Sequence, residues 1–222
     1  MTRKTDYLPR RTLLAGAVGA LAVGSARAQD TKPIRIGMTV SSTGAFALGL
    51  TIQIGFITHH VAVAEPLLGT AGAGLLVSAA GASAFIGRLI LARIVDGVRV
   101  RRLACLVMIA QSAALVAISL WSTVPVLVVA SLVYGYGIGH VTTLGPIVVR
   151  REFGAAAFGA TYGTAASVIQ LTSAFGPALF GFLRDGYGGY GPGFLIAAAL
   201  TMVGCASLYL GGRAAGPTRS SS

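Results

Sequence analysis

Arg88 stands inside an apolar run, GRLILARIVDG, two turns before Asp96 and the arginines Arg99, Arg101 and Arg102. An ionisable side chain in such a run is costly and marks a functional site by default. A guanidinium offers a fixed fork of donors that can hold a carboxylate at two oxygens, and that is the chemistry open to Arg88. The competing reading has Arg88 snorkel to the nearby interface and support the Asp96 loop. Tyr162 and Gln170 are the nearest polar candidates to share a solute site with it. His59 and His60, followed by Glu65, form a second group, because a histidine near a carboxylate can relay protons. Adjacent residues point about 100° apart on a helix, so only one of the pair can face a cavity, with His59 slightly preferred. An interface-facing role competes for both, and for His140. We find no Ser/His/Asp set, phosphate loop or metal-ligand spacing. The expectation is therefore a protein that is not an enzyme, with no cofactor and no metal.

The elements that must position these residues are apolar throughout. Hydrophobic residues make up 55% of the 222, charged residues 10%, and the mean hydropathy is +0.79. That is far from soluble-domain composition, and the length allows roughly six or seven membrane helices. The expected fold is all-α, a polytopic bundle of six spans. These run from Phe46 to Leu68, Ala73 to Val95, Leu103 to Trp121, Val124 to Val149, Ala155 to Leu183 and Phe194 to Gly211. Gly135 with Gly139, and Gly159 with Gly163, are small pairs one turn apart that let helix backbones approach closely. Pro146 and Pro177 loosen the helical hydrogen-bond ladder. Cys105 and Cys205 read as small packing residues.

The net charge of +11 sits in clusters between apolar runs, which points to topology rather than nucleic acid. Arg93 to Arg102, Arg150 with Arg151, and Arg213 with Arg219 occupy alternate loops. They place those loops and the 213–222 tail in the cytoplasm, with Asp96, Arg99, Arg101 and Arg102 as a gating loop. The expected partners are the bilayer and a small solute, here a carboxylate with a coupling proton.

Residues 1–28 resemble a twin-arginine export signal, with Arg10-Arg11, an apolar stretch from Leu13 to Val23 and a small-x-small site at Ala26-Arg27-Ala28. Residues 29–45 continue with alternation at Ile34, Ile36 and Met38, which predicts a strand. This stretch resembles the opening of type I periplasmic binding proteins of the branched-chain amino-acid type, without a complete domain. A crossing by the leading segment would invert every later loop, so either that segment does not insert, or Phe46 to Leu68 does not span, or the chain joins pieces of two different genes. The expectation is the join, a chimera whose N-terminal part is a flexible extension of the bundle from residue 46.

From about Gln53 to Gly212 the chain resembles the C-terminal six-helix half of a major facilitator superfamily transporter. The matching residues are Gly87-Arg88 with Asp96, Arg99, Arg101 and Arg102, the run Gly135-Tyr-Gly-Ile-Gly139, and Gly176-Pro177 with Gly181 and Arg184-Asp185. The loop departs from the family's pattern where Asp-Arg has become Asp96-Gly97. Arg88 is placed like the substrate arginine of oxalate/formate and monocarboxylate porters. The resemblance implies a secondary transporter of the bacterial inner membrane that needs a second six-helix half. The alternatives are an exported binding-protein start fused to a non-functional membrane fragment, and a membrane assembly subunit.

Overall fold

The structure, a computed structural model, describes the backbone of residues 36–213 and the side chains of residues 42–211 apart from 152, 153 and 157. Among these residues the secondary structure is helical: α1 (Ile36–Ile94), α2 (Val100–Leu120), α3 (Val124–Ser173), α4 (Gly176–Tyr187) and α5 (Tyr190–Arg213). Long apolar runs choose this form because a helix satisfies its backbone N–H and C=O groups within the segment, where lipid supplies no partner. The signal-like segment, most of the binding-protein-like stretch and the tail beyond Arg213 lie outside the described residues.

Five stretches are long and apolar enough to cross a membrane: Ser42–Ile94, Val100–Leu120, Val124–Arg151, Phe158–Tyr187 and Tyr190–Gly211. The first has 53 residues. At 1.5 Å per residue it would reach about 80 Å if straight, far beyond the hydrocarbon thickness of about 30 Å. It does not stay straight. Gly69 leaves the helix at φ 68° and ψ 170°, a region essentially closed to residues with a β-carbon, and divides α1 into a leading arm (36–68) and a trailing arm (70–94).

The contacts of the two arms with α3 show that the chain reverses there. Along the leading arm, Phe46 lies by Gly145, Phe56 by Tyr134 and His60 by Ser131, so arm and α3 run in opposite senses. Along the trailing arm, Ala80 meets Gly135, Ala84 meets Gly139 and Val95 meets Arg151, so the two run in the same sense. The arms are therefore antiparallel to each other. Gly154, at φ 76° and ψ 170°, breaks α3 in the same way. α2 and α5 are antiparallel too, with Ser112 Oγ donating to the Ala198 carbonyl at 3.2 Å and Ser119 Oγ to the Gly191 carbonyl at 2.8 Å.

Between α3 and α4 the chain turns at 174–175. Pro177 has no N–H to offer the Ser173 carbonyl, and the last bonds before it tighten, with Phe175 N–H donating to the Thr172 carbonyl at 3.1 Å.

The interior has two apolar clusters, one toward each end of the bundle. Phe46, Leu91, Met108, Leu144 and Leu208 belong to the one near Asp96, and Phe56, Leu115, Tyr134, Phe180 and Phe194 to the other. The outside is also apolar: Leu75 is 73% exposed and Phe182 77%. Such a surface suits lipid rather than water.

One expectation is corrected. The alternation at Ile34, Ile36 and Met38 predicts a strand, but the backbone is α-helical from Ile36 onward. A strand needs a neighbour to bond, and none of the described residues forms one. The helix also passes through residue 46 without a break, and Ala45 and Phe46 are both buried against the bundle.

Candidate functional site

Arg88 sits on the trailing arm of α1, six residues before its end and so about 9 Å from it along the axis. Gly87 beside it is buried against α3, where an added β-carbon would stand 2.7 Å from the Tyr136 carbonyl oxygen. The next position round the helix turns outward. Arg88 shares an exposed face with Gly81, Phe85 and Ala92, and no hydrogen bond, ion pair or ring contact involves it among the described residues. The helix thus carries an unneutralised guanidinium on an otherwise apolar face. Among the described residues nothing joins Arg88 to the two polar candidates. Tyr162 stacks on Phe158 with centroids 5.2 Å apart, and Gln170 is exposed on the second arm of α3.

The histidines point to different neighbours. His60 is buried, with Nε2 2.8 Å from Ser131 Oγ. His59 is half-buried and spans three elements, its Nε2 3.0 Å from the Pro177 carbonyl oxygen and its Nδ1 2.9 Å from the Tyr190 hydroxyl. A carbonyl only accepts, so in the neutral ring Nε2 carries the hydrogen and Nδ1 accepts from Tyr190. Glu65 is exposed and accepts from Thr70 Oγ1 at 2.6 Å. No hydrogen-bonded path connects His59, His60 and Glu65 among the described residues.

At the opposite end Asp96 pairs across the bundle rather than within its own loop. Arg151 places Nη2 3.2 Å from Asp96 Oδ1 and donates to the Val95 carbonyl at 2.8 Å and the Val98 carbonyl at 3.5 Å. One guanidinium thereby covers the end of the trailing arm, whose last carbonyls lack helical partners. Arg101 reaches the Leu208 carbonyl at the end of α5, Arg99 forms the N-cap position of α2, and Arg102 is exposed.

Two groups escape a reading of the sequence alone. Arg151 is one; its side of the bundle was legible from charge, its partner was not. The other is a buried amide ladder, in which Gln53 Nε2 donates to Gln111 Oε1 at 3.1 Å and Gln111 Nε2 donates to the Tyr134 carbonyl at 3.2 Å. Both glutamines are almost fully buried, and Gln53 Oε1 has no partner. The signal for such a pair is a lone amide within each of two apolar runs.

The glycine pairs differ from each other. Gly135 and Gly139 lie against the backbone of Ala80 and Ala84 with no room for a β-carbon, while Gly159 and Gly163 meet nothing within 4 Å. Gly55 and Gly176 form another close crossing, between the leading arm and α4.

A family model of the Major Facilitator Superfamily matches residues 34–222, most of the chain and all of the described bundle. The chain belongs to the Major Facilitator Superfamily. It is thus a multi-pass membrane protein of a transporter family. No curated protein matches the chain. Among the described residues no cluster of three or more His, Cys, Asp or Glu side chains is placed to hold a metal ion.

Proposed function

We propose that this facilitator bundle is one six-helix half of a secondary transporter that moves a small organic carboxylate by alternating access. In this reading the two arms of α1, α2, the first arm of α3, its second arm with α4, and α5 each cross the membrane. The basic end with Asp96 and Arg151 lies in the cytoplasm of the bacterial inner membrane. The observation that carries the reading is Arg88: a guanidinium on an apolar arm, exposed and without a partner among the described residues, is a charge waiting for an anion. A carboxylate bound there would be held at two oxygens, with Tyr162 and Gln170 as candidate polar neighbours across the solute path.

Facilitator-type transport needs a second six-helix unit, whether in a longer chain, a second copy or a separate subunit. The small residues Gly159 and Gly163, which meet nothing within 4 Å, leave a face on which another helix can pack closely. Rocking of the two units about a site between them would expose it to each side in turn.

The test is uptake of labelled mono- and dicarboxylates by vesicles holding the assembled protein. Arg88→Ala is expected to lower uptake by at least about tenfold, the loss of a charge-assisted bidentate contact, with Arg88→Lys in between. Reporter fusions at Gly97 and Gly188 check the orientation first. Unchanged uptake by correctly oriented Arg88→Ala protein would remove Arg88 from the solute site.

A further inference from the structure

Where α3 breaks at Gly154, a cavity of about 360 Å³ opens between its two arms, lined by Pro146, Ile147, Arg150, Ala155 and Phe158. Among the described residues, four of the five that line it are apolar and the fifth is Arg150. The neighbouring Arg151 is committed to Asp96 and to the Val95 and Val98 carbonyls, whereas Arg150 is exposed and has no hydrogen-bond or ion-pair partner among the described residues. Phe158 is held by its stack on Tyr162, with the rings 4° from parallel, so this wall keeps its shape. The mouth lies at the end of the bundle that also presents the exposed Arg93, Arg99 and Arg102.

A lone cation over a greasy pocket, at the level where helices leave the membrane, matches one kind of molecule: an amphiphile whose anionic head is followed by hydrocarbon. Inorganic phosphate would satisfy Arg150 but leave the apolar walls uncovered. A zwitterionic lipid would cover the walls but bring its own cation beside the guanidinium, offsetting the gain at the phosphate. We propose that this cavity binds an anionic phospholipid of the adjoining leaflet. Arg150 donates to the phosphate oxygens, and Pro146, Ile147 and Phe158 receive the first acyl carbons. The surrounding arginines raise the local concentration of anionic headgroups, but they do not build the pocket. The proposal rests on the membrane placement of the bundle, and not on Arg88 or on which solute is carried.

The experiment is native mass spectrometry of the purified full chain in detergent, titrated separately with phosphatidylglycerol, phosphatidylcholine and inorganic phosphate. Phosphatidylglycerol adducts are expected to exceed phosphatidylcholine adducts in the native protein. Arg150→Gln is expected to lower them about fivefold, as removal of one basic contact at a lipid headgroup predicts. Arg102→Gln, at the same end but outside the cavity, is expected to change them by less than about twofold, the size of an exposed, screened charge effect. Phe158→Ala is expected to weaken phosphatidylglycerol without creating phosphate binding, and an unchanged elution volume shows that each variant is folded. Equal losses in Arg150→Gln and Arg102→Gln would reduce the effect to the general field and overturn the site. Displacement of phosphatidylglycerol by equimolar phosphate would overturn the lipid as its ligand. Because the measurement is made in detergent, it is independent of uptake, so a failed transport assay leaves it standing and the reverse also holds.

Discussion

Gly139 lies against the carbonyl oxygen of Ala84 so closely that a β-carbon on it would overlap that atom. The obstacle is backbone, which cannot rotate away as a side chain would, so the trailing arm of α1 and α3 would have to separate. Gly139→Ala is expected to destabilise the bundle by about 1–3 kcal/mol. Gly159→Ala, with nothing within 4 Å, is expected to leave it unchanged or up to about 1 kcal/mol more stable through helix propensity. Thermal unfolding in detergent followed by circular dichroism separates the two; equal losses would show that helix propensity, not the crossing, governs these glycines.

The reversal at Gly69 makes a different demand. Nothing lies within 4 Å of its missing β-carbon, yet its φ of 68° and ψ of 170° exclude other residues on backbone grounds. Gly69→Ala is expected to cost about 1–3 kcal/mol. Gly74→Ala, equally uncrowded but without a positive φ, is expected to be neutral or slightly stabilising. The comparison of unfolding midpoints isolates conformation from packing.

The amide ladder predicts non-additivity. Gln111→Met alone strands the Gln53 amide, while the Tyr134 carbonyl keeps its helical bond, and an unsatisfied buried polar group costs about 1–3 kcal/mol. Gln53→Met with Gln111→Met removes both amides while keeping their shape, and is expected to cost less than Gln111→Met by itself. A double-mutant cycle on unfolding free energy measures this; simple addition of the two single losses would show that the amides act independently.

At the charged end, geometry separates two variants that a salt-bridge count would equate. The Asp96 side chain is 98% exposed, so Asp96→Asn is expected to leave the unfolding midpoint unchanged within error. Arg151→Gln removes donors to the Val95 and Val98 carbonyls and is expected to cost about 0.5–1.5 kcal/mol. Hydrogen exchange at residues 92–98 should rise in Arg151→Gln and not in Asp96→Asn.

Much of the architecture is legible in one dimension. Apolar runs of membrane-crossing length, the glycines that break them and the proline before which α4 begins are all properties of short windows. The local rule fails at residues 36–38, where an alternating pattern lies in a helix because no second strand is there to meet it. The candidate sites divide along the same line. That Arg88 is a charge inside an apolar run and Asp96 one at its end is visible in the sequence. That Arg88 meets no partner among the described residues while Asp96 is met by Arg151, 55 residues away, is not.

The sequence by itself determined which segments leave water, because transfer from water to lipid is a sum over neighbouring residues and needs no knowledge of the fold. Tertiary structure alone decided which side chains meet: Gln53 with Gln111, His59 with Tyr190 and Pro177, Gly139 with Ala84. Those pairings follow from how far each helix is rotated and where it crosses the next. Every helix offers several small or polar faces of nearly equal hydropathy, and only simultaneous packing of all of them selects one.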